Sequence, residues 1–199
     1  MRRRVVLASS SPRRRRLLDE HGIVHEAIAP PIDDGDLAPG DTNPVGWVVA
    51  LAHLKARSVA DTTERSALVL GCDTVVVRGD TIIGQPADLP DARRILESLG
   101  GGRHTVITGV AIIDAATGER RHLVDSAAVT VGGLDPQAIE KYLASGQWRG
   151  KAGAYNLMDR IGAGWPIEYA GDPTTVMGLP MRRLAPLLRQ LGADAPERV

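Results

Sequence analysis

Four consecutive arginines follow a serine-rich turn near the start of the chain, and together they could bind an anion. Ser9–Pro12 comes directly before Arg13–Arg16. Ser11 is of a type that caps helices, and the proline after it suits a first helical position, so the arginines should lie in the first turns of a helix. The helix dipole disfavours cations there by roughly 0.3–1 kcal/mol each, whereas free backbone N–H groups attract anions. The pattern indicates a phosphate site that uses chiefly Arg13 and Arg14; the alternative is a solvated basic surface.

Asp73 is a carboxylate inside an otherwise apolar segment, 68–77. Burying it costs several kcal/mol unless it is paired or binds a metal. Gly71, two residues earlier, allows a ligand or another chain segment to approach the backbone closely. Asp73 is therefore a candidate metal ligand or general base that orients water. The alternative is that it caps a turn or pairs with a lysine.

Three further positions give weaker signals. Lys55, on an apolar helical face, either binds phosphate or extends its stem along the helix edge to reach water. Lys151, in a glycine-bearing loop, either contacts phosphate or is an ordinary exposed lysine. The acidic loop 33–36 could supply oxygen to Mg²⁺ through Asp33 and Asp34, or these carboxylates are simply solvated. The five histidines show no metal-ligand spacing, and the chain contains neither a Walker loop nor a dinucleotide-binding glycine pattern.

The composition limits the classes of function. The chain has 199 residues, zero formal net charge and 43% apolar residues, so a general nucleic-acid binder, which would be basic, is disfavoured. The single Cys72 cannot form an internal disulfide, which favours a reducing compartment. No apolar stretch approaches the roughly 20 residues that span a membrane. We therefore expect a cytoplasmic protein that binds a small charged ligand.

Strand and helix signals alternate along the chain and predict a single α/β domain over 1–199 with a mixed sheet. Strand signals fall at 3–8, 22–28, 68–77, 81–83, 105–113 and 121–131. Helix signals begin at Ser11 and recur at 43–60, 88–99, 135–145 and 180–191. The segment 164–180 is predicted to be mostly loop with short extended pieces.

Five segments, in this order, resemble the Maf family of nucleoside triphosphate pyrophosphatases. They are Ala8-Ser9-Ser10-Ser11-Pro12-Arg13-Arg14, Lys55-Ala56, Gly71-Cys72-Asp73-Thr74-Val75-Val76, Lys151-Ala152-Gly153-Ala154-Tyr155 and Val176-Met177-Gly178-Leu179-Pro180. The resemblance implies a mixed-sheet, Maf/ITPase-like fold with two lobes around a cleft. It also implies hydrolysis of a triphosphate to a nucleoside monophosphate and pyrophosphate, with a divalent cation such as Mg²⁺ or Mn²⁺, in a protein that is often a homodimer.

The resemblance also implies roles for individual residues. Asp73 falls on the family's catalytic base and, with Asp34, would bind the metal. The substrate-binding positions fall on Ser9, Arg13, Arg14, Lys55, Thr74 and Lys151. Arg13 and Thr74 are similar to the branch that prefers dTTP and UTP. Two positions depart from the family pattern: Gln85 stands where a lysine is common, and Met158 stands where that branch has glutamine.

Two other functions remain as alternatives at this point. The family's association with septum formation allows a non-catalytic, nucleotide-binding regulator of cell division. A nucleic-acid binder that uses the amino-terminal arginines is opposed by the zero net charge and by an aromatic content of 3%.

Overall fold

The computed structural model describes residues 3–32 and 37–193. Its centre is a seven-stranded sheet. The strands are β1 (Val5–Ala8), β2 (His25–Ile28), β3 (Leu68–Arg78), β4 (Thr81–Ile83), β5 (Gly102–Asp114), β6 (Arg120–Val131) and β7 (Ile167–Ala170). Their order is β2-β1-β3-β5-β6-β7, with β4 on β3. β1 runs parallel to β2 and β3, and the other pairs are antiparallel, which confirms the predicted mixed sheet.

Seven helices accompany the sheet in the described part of the chain. They are α1 (Pro12–Glu20), α2 (Pro44–Ala60), α3 (Leu89–Leu99), α4 (Pro136–Ala144), α5 (Leu157–Gly162), α6 (Pro173–Val176) and α7 (Met181–Gln190). A single 3₁₀ turn occupies Ala152–Ala154. Within residues 3–32 and 37–193, no helix has the length and apolar character that crossing a bilayer requires.

Helix α2 lies directly on the sheet because two glycines leave room for its backbone. A Cβ atom on Gly71 of β3 would lie 2.1 Å from the carbonyl oxygen of Ala52. A Cβ atom on Gly109 of β5 would lie 2.7 Å from the backbone of Val48. Gly71 therefore admits another chain segment, one of the two possibilities raised by the sequence. The close approach sets the height of α2 above β3 and so the position of Lys55.

The core is formed by apolar side chains of the sheet and of the helices that pack on it. One buried cluster joins β1, β3 and β5 to α1 and α7, and includes Leu7, Leu70 and Leu184. A second joins β5 and β6 to α3 and α4, and includes Leu96, Tyr142 and Trp165. The candidate site described next lies between α1, α2, β3 and the segment that follows α4.

The predicted elements agree with the structure except in three places. Ser11 is the N-cap residue of α1, but its side chain makes no capping hydrogen bond. The region 150–155, predicted as a glycine-bearing loop, contains the 3₁₀ turn, and helix α5 follows it where no element was predicted. The segment 164–180, predicted as loop with extended pieces, contains strand β7 and also the short helix α6.

Candidate active site

A cleft of about 580 Å³ opens at the carboxyl end of β1 and beside the middle of β3. Its volume lies within the range of small-molecule sites. We call one side the strand wall, made by Ser9, Arg14, Lys55, Asp73 and Thr74. We call the other side the loop wall, made by residues 149–152, Tyr155, Asn156 and Asp159.

Asp73 and Lys55 form an ion pair at the base of the strand wall. Lys55 Nζ donates to Asp73 Oδ1 at 2.8 Å, and the two side chains are 9% and 10% exposed. Lys55 therefore does not extend to open solvent along the helix edge. Asp73 does pair with a lysine, as the alternative had it, but the pair lies inside the cleft. Among the described residues, Oδ2 of Asp73 has no hydrogen-bond partner, so it can bind water or a ligand.

Arg14 is held by three hydrogen bonds that aim its guanidinium along the strand wall. Nε donates to the Gly178 carbonyl at 3.1 Å, Nη1 to Ser9 Oγ at 3.3 Å and Nη2 to Thr74 Oγ1 at 3.3 Å. Ser9 Oγ also accepts from the Ser11 backbone N–H at 3.2 Å. The side chain of Ser9 therefore fixes both the turn before α1 and the arginine beyond it.

A chain of hydroxyls continues this network into the core. The buried Thr108 donates to the Thr175 carbonyl at 2.8 Å, so its oxygen accepts from Thr74, 2.9 Å away. Thr74 in turn accepts from Arg14. The hydroxyl hydrogen of Thr74 therefore points toward Thr108, and its oxygen accepts from Arg14.

Arg13 reaches across the cleft to the loop wall. Its Nη2 donates to the Gly150 carbonyl at 3.4 Å. Its Nε is buried and has no hydrogen-bond partner among the described residues. Burial, and secondarily the charge of Arg14, lower the pKa of Arg13 from its usual value. An incoming anion would relieve both the desolvation and the repulsion between the two arginines.

Lys151 belongs to the loop wall and lies close to Arg13. It donates to the Gln147 carbonyl. Burial first, and the charge of Arg13 second, lower the pKa of Lys151. Lys151 is partly buried at the edge of the cleft, so the structure does not place it as an ordinary exposed lysine.

The structure brings almost every sequence-predicted site residue into one cleft. These residues are Ser9, Arg13, Arg14, Lys55, Asp73, Thr74 and Lys151. Arg15 and Arg16 are exposed, and Arg16 pairs with Glu20 instead. Asp34 lies outside the described residues, so its predicted role stays a prediction.

Sequence reasoning missed three polar residues of the loop wall: Arg149, Asn156 and Asp159. None belongs to a recognisable motif, and α5, which begins just after Asn156, was itself not predicted. Gln85 also lines the cleft, so the departure noted in the sequence removes a cation from the site itself.

The donor set of the cleft fits a divalent cation only with help from a bound ligand. Residues 3–32 and 37–193 hold no group of three or more His, Cys, Asp or Glu side chains that could bind a metal. Mg²⁺, however, is commonly held by one or two carboxylates, with waters and substrate phosphates as its other ligands. Asp73 Oδ2 can supply one such carboxylate oxygen.

The chain is similar to known proteins over nearly its whole length. The family model described as Maf-like protein matches residues 4–191. The dTTP/UTP pyrophosphatase of Pelotomaculum thermopropionicum is 42% identical over 188 residues, which are 94% of this chain and 96% of that protein. That of Salinibacter ruber is 40% identical over 193 residues, 97% and 93% of the two chains. Among solved structures, the Ham1 protein of Staphylococcus aureus superposes with a TM-score of 0.44 and 13% identity, covering 64% of this chain and 71% of that one. On the strength of the family model and these relatives, the chain belongs to the Maf family.

Proposed function

We propose that this protein hydrolyses nucleoside triphosphates between the α- and β-phosphates, releasing a nucleoside monophosphate and pyrophosphate. The observation that carries the proposal is the convergence of Asp73 and the arginines of α1 in one cleft. Family membership and the names of the relatives support the same activity. They favour a hydrolase over a non-catalytic regulator of septum formation.

The triphosphate binds at the start of α1. Arg13 and Arg14 approach from the helix, and Lys151 approaches from the loop wall. Arg14 is already fixed by Gly178 and Ser9, so little side-chain freedom is lost when phosphate arrives. These cations stabilise the charge that develops on the leaving pyrophosphate.

Asp73 acts as the general base. A water oxygen attacks the α-phosphorus while the carboxylate of Asp73 takes its proton, and the bond between the α-phosphorus and the bridging oxygen breaks. That oxygen leaves with the pyrophosphate. Lys55 holds Oδ1 at 2.8 Å and so keeps the second oxygen directed into the cleft. Positioning of this kind is where most catalysis of phosphoryl transfer originates.

A divalent cation, Mg²⁺ or Mn²⁺, completes the site in this proposal. Asp73 would hold it together with the substrate phosphates, and Asp34 is the second proposed carboxylate. When bound, the ion supplies further neutralisation of phosphate charge.

The substrate preference that we propose is for dTTP and UTP. The relatives that match nearly the whole chain are named for these two nucleotides. Met158, the departure from that branch, is 45% exposed and is not among the described residues that line the cleft. Homodimerisation and a cytoplasmic location stay predictions.

The test is pyrophosphate release from a panel of canonical and modified triphosphates, with and without Mg²⁺ or Mn²⁺. We expect metal-dependent release of one pyrophosphate per nucleotide. Asp73→Asn keeps the shape and an acceptor for Lys55 but removes the base, so turnover should fall about 10²–10⁴-fold. Full activity in this variant, or release of single phosphates instead of pyrophosphate, contradicts the proposal.

A further inference from the structure

The loop wall contains an amide oxygen that is buried without a protein partner. Asn156 Oδ1 is shielded from solvent and accepts no hydrogen bond from any described residue. An orphaned buried acceptor of this kind costs about 1–3 kcal/mol. Asn156 lines the cleft, so a bound ligand can supply the missing donor.

The position of Asn156 in its helix makes the orphan more informative. Asn156 is the N-cap residue of α5, where an asparagine side chain normally accepts a backbone N–H. At the N-caps of four other helices the side chain does so; these are Asn43, Asp88, Asp135 and Asp172. The side chain of Asn156 makes no such bond and remains free for the cleft.

Asn156 is held firmly from both sides. On the amino-terminal side, Tyr155 Oη lies 2.8 Å from His104 Nε2, and Ala154 adopts a left-handed φ of 61°. On the carboxyl-terminal side, the Arg160 guanidinium stacks over the ring of Tyr142, 4.3 Å from its centroid. These neighbours fix the backbone on either side of Asn156, and a residue placed in this way with an unmet acceptor is pre-organised for a ligand.

The surroundings of Asn156 indicate which part of a nucleotide it meets. Arg13 and Arg14, the proposed phosphate-binding arginines, lie at the start of α1, whereas Val76, Val106 and Ala152 give the cleft an apolar lining. Gly153, beside Ala152, lies so close to β3 that an added Cβ would be 2.8 Å from Val76 Cγ2. A planar base suits this lining, and Asn156 is the polar group three residues further along the same wall.

The loop wall is rich in donors and poor in acceptors. Arg149 and Lys151 offer cationic N–H groups, and Asp159 is its one carboxylate among the described lining residues. The pairing edge of uracil or thymine presents a carbonyl, an N3–H and a second carbonyl. Such an edge needs donors on both sides and a single acceptor between them, which is what the amide oxygen of Asn156 adds to the wall.

We propose that Asn156 is a specificity-determining residue, whose Oδ1 accepts the N3–H of a uracil or thymine base while its Nδ2 donates to an adjacent carbonyl. This inference rests on the proposed function for the presence of a nucleotide. In this inference the side-chain amide that contacts the base comes from Asn156, because position 158, where the branch that prefers dTTP and UTP has glutamine, is methionine here. Sites that hydrogen-bond a substrate N–H reject analogues without it, because the protein group is then left unpaired.

The test compares UTP, CTP and 3-methyl-UTP, which lacks the N3–H. For the wild type we expect kcat/KM to favour UTP over 3-methyl-UTP by about 10–100-fold, the value of one or two buried hydrogen bonds. Asn156→Ala should reduce that ratio to within about threefold. Asn156→Asp, which remains a good N-cap and so preserves α5, keeps the acceptor for the N3–H but loses the Nδ2 donor. It should therefore keep the preference for UTP over 3-methyl-UTP, with a lower kcat/KM for UTP than the wild type has.

Met158→Ala is the matched control, because Met158 is a neighbour on α5 and is 45% exposed. It should leave the ratio unchanged. An equal loss for all three nucleotides in Asn156→Ala overturns the proposal, since it would indicate a structural or phosphate-binding role. The proposal is also overturned if the ratio of kcat/KM for UTP to that for 3-methyl-UTP is lost in Asp159→Asn but not in Asn156→Ala. That result would assign the base contact to Asp159.

A binding arm separates this inference from the proposed function. Dissociation constants are measured for the α,β-imido analogues of UTP and CTP, in which the bond that the enzyme would hydrolyse is replaced. Binding is then measured without turnover. If the wild type releases no pyrophosphate but Asn156→Ala abolishes a preference for the uridine analogue, the hydrolase proposal fails and the base contact stands. If pyrophosphate is released and the variant keeps the preference, only the base contact fails.

Discussion

The two walls of the cleft differ in how completely their polar groups are paired. On the strand wall, Arg14 has three assigned acceptors and Asp73 is bonded to Lys55. By contrast, Asn156 Oδ1 on the loop wall, and Nε of Arg13, which reaches toward that wall, are buried without partners among the described residues. A wall whose polar groups are paired is rigid before the ligand binds. A buried polar group without a partner instead adds binding free energy for a ligand that hydrogen-bonds to it. The fixed strand wall suits the triphosphate that all nucleotides share. Of the unmet groups, Arg13 can also bind phosphate, and Asn156 can bind the base that distinguishes the nucleotides.

The largest expected effect comes from breaking the ion pair of the strand wall. Lys55→Met leaves Asp73 with a charge in a nearly buried position, so the free energy of unfolding should fall by about 3 kcal/mol. Turnover should fall at least about 100-fold, because the carboxylate loses its fixed orientation. Urea unfolding and pyrophosphate release measure the two effects.

A double variant separates stability from catalysis at the same pair. Lys55→Met combined with Asp73→Leu removes both charges and fills the volume with apolar groups, so most of the lost stability should return. Activity should not return, because the base is absent. Recovery of activity in the double variant would show that Asp73 is not the base.

The next effect concerns Gly178, which supports Arg14 from the end of the strand wall. Gly178 has a φ of 105°, and an added Cβ would lie 2.9 Å from Arg14 Nε. Gly178→Ala should therefore displace Arg14 and raise KM for the triphosphate about tenfold, as expected for the loss of a charged hydrogen bond. Steady-state kinetics with UTP measure the change.

Gly118→Ala is the control for backbone strain in that experiment. Gly118 has a φ of 75° in the turn between β5 and β6, and a Cβ there meets no atom within 4 Å. Both variants should lose about 1 kcal/mol of stability through strain, but only Gly178→Ala should change KM. Equal KM values for the two variants would mean that the position of Arg14 does not matter for binding.

The fold could be predicted where local signals are strong. Helix α2 begins after Asn43 and ends at Ala60 as expected, because an N-cap, a proline and an apolar face agree over 17 residues. Helix α5 was missed because its six residues carry no amphipathic period and depend on distant partners, such as the stacking of Arg160 on Tyr142. Helix α6, with four residues, was missed for the same reason.

The site could be predicted where unfavourable residues need a reason. Arginines at a helix start and a carboxylate in an apolar strand each imply a partner, and the structure brings Arg14 and Asp73 into one cleft. Asn156 could not be found in this way, because asparagine is common in loops and its presence there implies no unfavourable free energy. Only the surrounding structure shows that its oxygen lacks a partner. The orphaned oxygen is a property of packing, and no single-residue pattern encodes it.

A smaller, pH-dependent effect should distinguish the loop wall from the rest of the molecule. Burial, and secondarily Arg78, lower the pKa of His104, the partner of Tyr155, from 6.5 to about 4. The neutral imidazole therefore contributes its full stability above about pH 6.5, and the contribution is lost as the pH falls toward 4. Relative to His104→Gln, which cannot titrate, the wild type should lose about 2 kcal/mol between about pH 7 and pH 5. Urea unfolding of both proteins at the two pH values measures the difference, and parallel curves would mean that His104 is not kept neutral by its surroundings.

The smallest effect calibrates these comparisons at a site outside both walls. Arg3 donates to both carboxylate oxygens of Asp114, at 2.5 and 2.6 Å. Asp114 is the last residue of β5. The hydrogen bond from Arg3 lowers the pKa of Asp114 from 3.8 to about 2, so the stabilisation is present above about pH 4 and is lost as the pH falls toward 2. Asp114→Asn should reduce the free energy of unfolding by about 1 kcal/mol near neutral pH, allowing for partial exposure, and by almost nothing near about pH 2. Because neither wall contacts this pair, kcat and KM should be unchanged; a kinetic effect as large as that of Gly178→Ala would mean that stability, and not the pairing of the walls, governs activity.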